Sequence, residues 1–305
     1  MIDPRRRHYG VLYGLEAPPP GPLALVWGNC QAESVRVLLS GVPDLPVTPV
    51  RLPPVHELTA DDLPRLRPLL ARTRLLVSQP VRDGYRDLPL GTAEVAAALP
   101  GGAAVVRFPV IRHPALHPWS VIVRHPSDPA AVPPGVPYHD LRALAAAAGR
   151  PPGPPPSPGA LREVGDRGIA ELARREARDT DAGVSDAIAS FGAAAAHTLN
   201  HPGNGVLRLL TGRVLDVAGM SGPVPDPGRE LLGGIRAPLR RDVLDALGLD
   251  APGPDCVPRE DWCDGDRVIG EDEVRARQLA WYATHPGWVT AGLDRHGDTL
   301  EILRL

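Results

Sequence analysis

Three apolar runs of strand length do most to fix what this chain can become. Leu23–Trp27 (LALVW), Arg74–Ser78 (RLLVS) and Ala103–Phe108 (AAVVRF) each span five or six residues bounded by turn or polar residues. Val47–Leu52 is a further strand candidate and Trp119–Arg124 another. Helical segments lie between them: Gln31–Leu39, with Val35, Leu38 and Leu39 inward, and Leu63–Leu70. Strands alternating with helices predict a parallel α/β sheet. Such sheets bind ligands at the carboxyl ends of their strands. The residues to watch are therefore Gly28-Asn29-Cys30-Gln31, the stretch from Ser78-Gln79 to Asp83, and Arg107-Phe108-Pro109.

The rest of the chain divides by composition. Residues 1–20 read as a poorly ordered N-terminal segment with one short strand at His8–Leu15, closing on Pro18-Pro19-Pro20. Residues 21–148 form the α/β half. Residues 149–160 are a Pro/Gly-rich linker, since GRPPGPPPSP suits neither helix nor central strand. Residues 161–305 carry helical patterns at Leu161–Arg178, Val184–Leu199, Val206–Val217, Arg240–Leu247 and Glu271–Thr284. The expected fold class is α/β: a small, mostly parallel sheet with flanking helices in the first half, and a mainly α-helical second half.

Composition removes whole chemistries. All 33 basic residues are arginine. Without lysine there is no Schiff base, no lysine-bound pyridoxal phosphate and no Walker A loop. A net charge of −3 without a basic arm argues against nucleic-acid binding. No stretch of ~20 apolar residues predicts a membrane span, and the N-terminus lacks the apolar core of a secretory signal. Three cysteines are too few for a disulfide scaffold and suit a reducing cytoplasm. Amides are scarce, and Asn29, Gln31, Gln79, Asn200 and Asn204 all fall in short motifs.

Cys30, at a strand-to-helix turn, meets helix-terminal N–H groups that favour a thiolate and can stabilise an oxyanion. The alternative is a small buried hydrophobe, with Asn29 as helix cap. Cys256 and Cys263 lack metal-ligand spacing. His197 and His201 are four apart, but Pro202 opposes helix and no Glu follows His197, so no metal is expected. A thiolate needs a histidine oriented by an amide or carboxylate. His201 with Asn200 or Asn204 supplies those types, and an Asn/Pro/Gly turn is the plainer reading. His113 and His117 are alternative bases. Ser78 and Gln79 offer substrate or oxyanion contacts. Arg82 can hold a phosphate or carboxylate, and a surface ion pair in a turn is the plainer alternative.

Taken in order, Gly28-Asn29-Cys30-Gln31, Ser78-Gln79 with Arg82 and Tyr85, Arg107-Phe108-Pro109, Arg175-Glu176-Ala177 before Val184-Ser185-Asp186, and Asn200-His201-Pro202-Gly203-Asn204 resemble the WcbI family of capsular polysaccharide biosynthesis. The matches run from about Leu23 to Gly219. The resemblance implies a coenzyme A-binding acyltransferase that acetylates a sugar hydroxyl, with Cys30 as the nucleophile candidate and His201 as its partner. Asn200 or Asn204 would orient His201. Asn29, Gln31, Ser78 and Gln79 would line the substrate and oxyanion positions. Arg82, Tyr85 and Arg107 would meet the coenzyme, because phosphate charge must fall to arginine, histidine or backbone N–H groups where lysine is absent. The acceptor would be a glycan or a small metabolite. A thioesterase or esterase using the same dyad, and a non-catalytic protein holding a nucleotide-like ligand, are the rival expectations.

Overall fold

The computed structural model describes residues 3–125, 127–128, 131–250 and 259–305. Cys256 lies outside them. In chain order the elements are α1 (Pro4–His8), β1 (Leu23–Trp27), α2 (Cys30–Ser40), β2 (Thr48–Val50), α3 (Leu63–Leu70), β3 (Thr73–Ser78), α4 (Thr92–Ala97) and β4 (Ala104–Arg107). There follow β5 (Ser120–Val121), β6 (His139–Asp140), α5 (Leu141–Ala147), α6 (Pro158–Asp179), β7 (Ala196–Thr198), β8 (His201–Pro202) and α7 (Asn204–Val217). Last come β9 (Ile235–Arg236), α8 (Arg241–Leu247), β10 (Trp262–Asp264), β11 (Arg267–Ile269), α9 (Glu271–Thr284) and α10 (Pro286–Leu303).

The chain forms two compact units. The first comprises residues 1–110, 172–188 and 203–232; the second comprises 111–171, 189–202 and 233–305. The chain passes between units five times, after residues 110, 171, 188, 202 and 232, the second crossing within α6 and the fourth within the Asn200–Asn204 motif, and none falls at the proline-rich linker. A long helix and a tight hairpin hide such crossings from composition.

The first unit is built on a four-stranded parallel sheet of order β2-β1-β3-β4. All five β1 residues are buried, which is why its run is continuously apolar and not alternating. Leu23, Leu25, Trp27, Val50, Leu66, Leu69 and Leu76 form its core. The Trp27 indole N–H donates to the Leu90 carbonyl at 3.0 Å. Strand order reverses direction between β1 and β3, so the loops leaving their carboxyl ends diverge and open a crevice there.

The N-terminal segment departs from expectation. His8–Leu15 is not a strand: α1 and a series of turns put Leu12 and Tyr13 into the first unit's core. The Tyr13 ring lies under the guanidiniums of Arg5, Arg6 and Arg65, at 5.4 to 5.8 Å. The expected helix over Val184–Leu199 also fails. Gly192 takes φ 53° and breaks a 3-10 turn, after which Ala196–Thr198 pairs antiparallel with His201–Pro202.

The second unit is mainly helical. Trp119, Leu141, Leu144, Tyr282, Trp288 and Leu300 are among the side chains that pack its main core. Two short antiparallel pairs, β5–β6 and β7–β8, and a three-stranded β11-β10-β9 sheet accompany it. No described helix is long and apolar enough to cross a membrane.

Candidate functional site

The site builds from the loop after β1. Cys30 is the first residue of α2, and Asn29 caps the helix: its side-chain oxygen accepts from the Gln31 N–H at 2.9 Å. The Gln79 side chain crosses from the end of β3. Its Oε1 accepts from the Asn29 N–H at 2.8 Å, and its amide nitrogen donates to Gln31 Oε1 at 3.3 Å. Gly28 is required here, because a Cβ would stand 2.3 Å from Gln79 Oε1. Three of the scarce amides therefore tie the two diverging loops together at the sheet's switch point.

Two clefts flank this knot and share Gly28 and Asn29 as walls. One, of about 260 Å³, contains Cys30 together with Tyr9, Glu33, Pro53, Arg229 and Leu231. The other, of about 340 Å³, contains His56, Gln79, Arg82, Tyr85 and Val110. Both lie wholly in the first unit.

Several expected contacts have other duties. The Ser78 hydroxyl is fully buried, donates to the Gln79 carbonyl at 2.8 Å and pairs with Thr92 Oγ1 at 3.0 Å, so it holds the loop and does not face a ligand. Gln31 is fully buried too. Arg107 is exposed but grips Asp181 through two nitrogens, at 2.8 and 3.1 Å, which raises its pKa and neutralises its charge. Asn204 opens α7 in the first unit. Its amide donates to the Arg229 carbonyl and accepts from the Leu231 N–H, both at 2.9 Å. It thereby fixes the 229–231 segment that walls the Cys30 cleft.

His201 and Asn200 belong to the second unit. The Tyr138 hydroxyl donates to Asn200 Oδ1 at 2.8 Å and shares a hydrogen bond with Thr198 at 2.8 Å. The His201 ring meets the Tyr138 ring edge-on at 6.5 Å. The other base candidates, His113 and His117, are also in the second unit, 4% and 3% exposed, and burial holds their pKa values down to about 4 and about 3. Both are neutral at physiological pH. Cys263 is a free thiol on β10. Among the described residues no group of three His, Cys, Asp or Glu side chains could hold a metal.

The thiol itself corrects one expectation. The Gln31 and Cys30 backbone N–H groups do pull its pKa down, but burial pushes it up by more, and the net shift is upward. Cys30 rests as a thiol and needs a base at the moment of attack. Alkylation by iodoacetamide should accordingly be slow at pH 7 and climb steadily beyond pH 9; a fast, pH-independent rate at neutrality would contradict this reading.

Sequence reasoning missed His56, Tyr9 and Arg229. His56 had a usable signal: it follows β2 as Pro53-Pro54-Val55-His56, at a strand's carboxyl end, and the Val55 N–H donates to the Gly28 carbonyl at 2.9 Å. Arg229 and Tyr9 come from far along the chain and carried none.

No curated protein matches the chain. A solved structure of WcbI, described as a novel polysaccharide biosynthesis enzyme and as a native protein without a disulfide bond between coenzyme A and one of its cysteines, shares the fold with a TM-score of 0.75. It is 18% identical, and the match covers 93% of this chain and 97% of that one. The family model for polysaccharide biosynthesis enzyme WcbI matches residues 23–223, a span that holds Cys30, the Gln79 crosslink and Asn204. The chain thus belongs to the WcbI family of polysaccharide biosynthesis enzymes.

Proposed function

We propose that the protein is an acyltransferase that moves an acyl group, acetyl by the family's resemblance, from coenzyme A to a hydroxyl of a sugar-like acceptor through Cys30. One observation carries the reading: Cys30 stands at a helix N-terminus on a turn shared by two clefts, which is what joining a donor to an acceptor needs. The family's role and the coenzyme named with the structural neighbour support it.

The cleft with Arg82, Tyr85 and His56 suits the coenzyme, since an arginine can meet its phosphates bidentately. In the first half-reaction a histidine takes the Cys30 proton, Sγ attacks the thioester carbon, and the bond from that carbon to the coenzyme sulfur breaks. The coenzyme leaves as its thiol, with the proton returned by the histidine. In the second, the histidine takes the acceptor's hydroxyl proton, the oxygen attacks the Cys30 thioester, and Sγ departs and regains a proton. Two histidines are candidates: His201, which the motif offers, and His56, which lines a cleft of the same unit as Cys30.

Arg82→Gln should weaken coenzyme A binding about tenfold by calorimetry, the worth of one charge-assisted contact. Arg107→Gln should leave it unchanged, because that charge is spent on Asp181. Equal losses in both variants would remove Arg82 from the coenzyme's site. Acyl-coenzyme consumption that no acceptor accelerates would point instead to a hydrolase.

A further inference from the structure

Beside the Cys30 cleft lies a second, basic hollow of about 460 Å³, in the same unit. Tyr9 walls both. Its cationic lining comes from two sources. Arg36 and Arg51 converge on Glu33: Arg36 binds both carboxylate oxygens at 2.6 and 2.8 Å, and Arg51 Nε binds one at 2.9 Å. Arg7 and His8 come from α1.

The charge count is uneven. Arg7, Arg36 and Arg51 line this corner with Glu16, Glu33 is bound by Arg36 and Arg51, and the nearby Glu57 is paired with Arg5. Glu33 is shared by two arginines, and Arg51 engages it through Nε alone, so its two terminal nitrogens have no partner among the described residues. Arg7 is exposed and has no ion pair among them either. The Arg36 side chain is only 12% exposed, so it is a fixed part of the wall.

We infer that this hollow is the anion pocket of the acceptor: the sugar acylated beside it carries a phosphate or a carboxylate. The reasoning is spatial and electrostatic. The hollow shares Tyr9 with the Cys30 cleft and shares no lining residue with the Arg82 cleft, where the coenzyme is placed. Guanidiniums with open terminal nitrogens match planar carboxylates and phosphate oxygens bidentately. A neutral sugar offers only hydroxyl acceptors and no charge to match theirs.

The inference rests on the acyl-transfer reading, so its test measures binding and not turnover. Glucose 1-phosphate, glucuronate and glucose are titrated separately into the full-length protein and into Arg7→Gln/Arg51→Gln, with coenzyme A as a fourth titrant. The expected result is that at least one anionic sugar binds more tightly than glucose, and that the double variant weakens it at least tenfold while coenzyme A binding holds. The anion that binds identifies the group carried. Weakened coenzyme A binding in the variant would overturn the inference, because the pocket would then serve the coenzyme's phosphates. Equal binding of glucose, or no binding of either anionic sugar, would overturn it too. Should Arg51→Gln lower the melting temperature, Arg7→Gln alone, on the exposed α1, carries the same comparison. Cys30→Ser should leave these affinities unmoved, so a failed catalytic reading and a failed anion pocket give different results.

Discussion

Cys30→Ser is expected to abolish the acyl adduct seen by intact mass after incubation with acetyl-coenzyme A, and to lower kcat/KM for transfer by a factor of ~1,000 or more, about 4 kcal/mol of transition-state stabilisation. The substitution is nearly isosteric. It leaves the Asn29 cap, the Gln79 crosslink and the Gly28 contact intact, so the loss would be chemical and not structural. A serine hydroxyl at this turn lacks the polarisability and acidity of a thiol, and burial that already raises the Cys30 pKa would penalise an alkoxide far more. Survival of turnover within tenfold of wild type would eliminate the covalent route and leave direct attack by the acceptor on the thioester.

The same assay assigns the base. A general base contributes ~100- to 10,000-fold, and its removal erases the acidic limb of the pH profile. His201→Gln is expected to do both. If His56→Gln does so instead, the proton passes to the histidine that lines the Arg82 cleft. If neither variant changes the profile, neither His201 nor His56 is the base.

How much of this was legible before the structure follows from what each signal measures. The buried strands β1 and β3 announced themselves because parallel strands covered on both faces read as apolar runs, and the edge strand β4 by its β-branched residues although only Val106 of its four is buried. The strand-end rule then led directly to Asn29, Gln31 and Gln79, which the fold joins. It named the neighbourhood but not the duty. Ser78 and Gln31 lie in the right turns yet point inward, because the amides there build the turn before any ligand arrives. Arg107 stands at a strand end but is claimed by Asp181, 74 residues away, a pairing no local pattern encodes. The Val184–Leu199 stretch had helical spacing of apolar residues, but Gly192 at positive φ and the tight turn to His201 took precedence over periodicity. The N-terminal segment looked expendable by composition, yet Leu12 and Tyr13 are core residues and Arg7 and His8 wall a pocket.

Acid is expected to unfold the second unit near pH 5, well above the pH at which ordinary carboxylates are lost. His113, His117 and His139 all belong to that unit and are 4%, 3% and 2% exposed. Burial holds their pKa values down to about 4, about 3 and about 4. The His117 Nδ1 lies 3.1 Å from the Pro238 carbonyl. The His139 ring stacks on Trp288 and Tyr282, with Nδ1 2.6 Å from the Tyr282 hydroxyl, and its Nε2 has no hydrogen-bond partner. A neutral imidazole tolerates such a site; an imidazolium would bring an unpaired buried charge. The unfolded chain, with histidines near 6.5, binds protons that the folded unit refuses, so stability is complete above pH 6.5 and falls as pH drops toward 4. Each histidine costs about 2 kcal/mol at pH 5 on that linkage, and three cost about 6 kcal/mol against a typical total of ~5–15 kcal/mol. Urea unfolding at a series of pH values should show stability falling by at least about 4 kcal/mol per pH unit near pH 5, the slope of nearly three protons, to which His296, held down to about 4 in the same unit, adds. Tryptophan fluorescence reports the correct unit, since Trp119, Trp262, Trp281 and Trp288 lie in it and only Trp27 lies in the first. An unchanged spectrum and a flat stability between pH 6.5 and 4 would mean that these histidines gain partners on protonation, and that their burial does not govern the unit's response to acid.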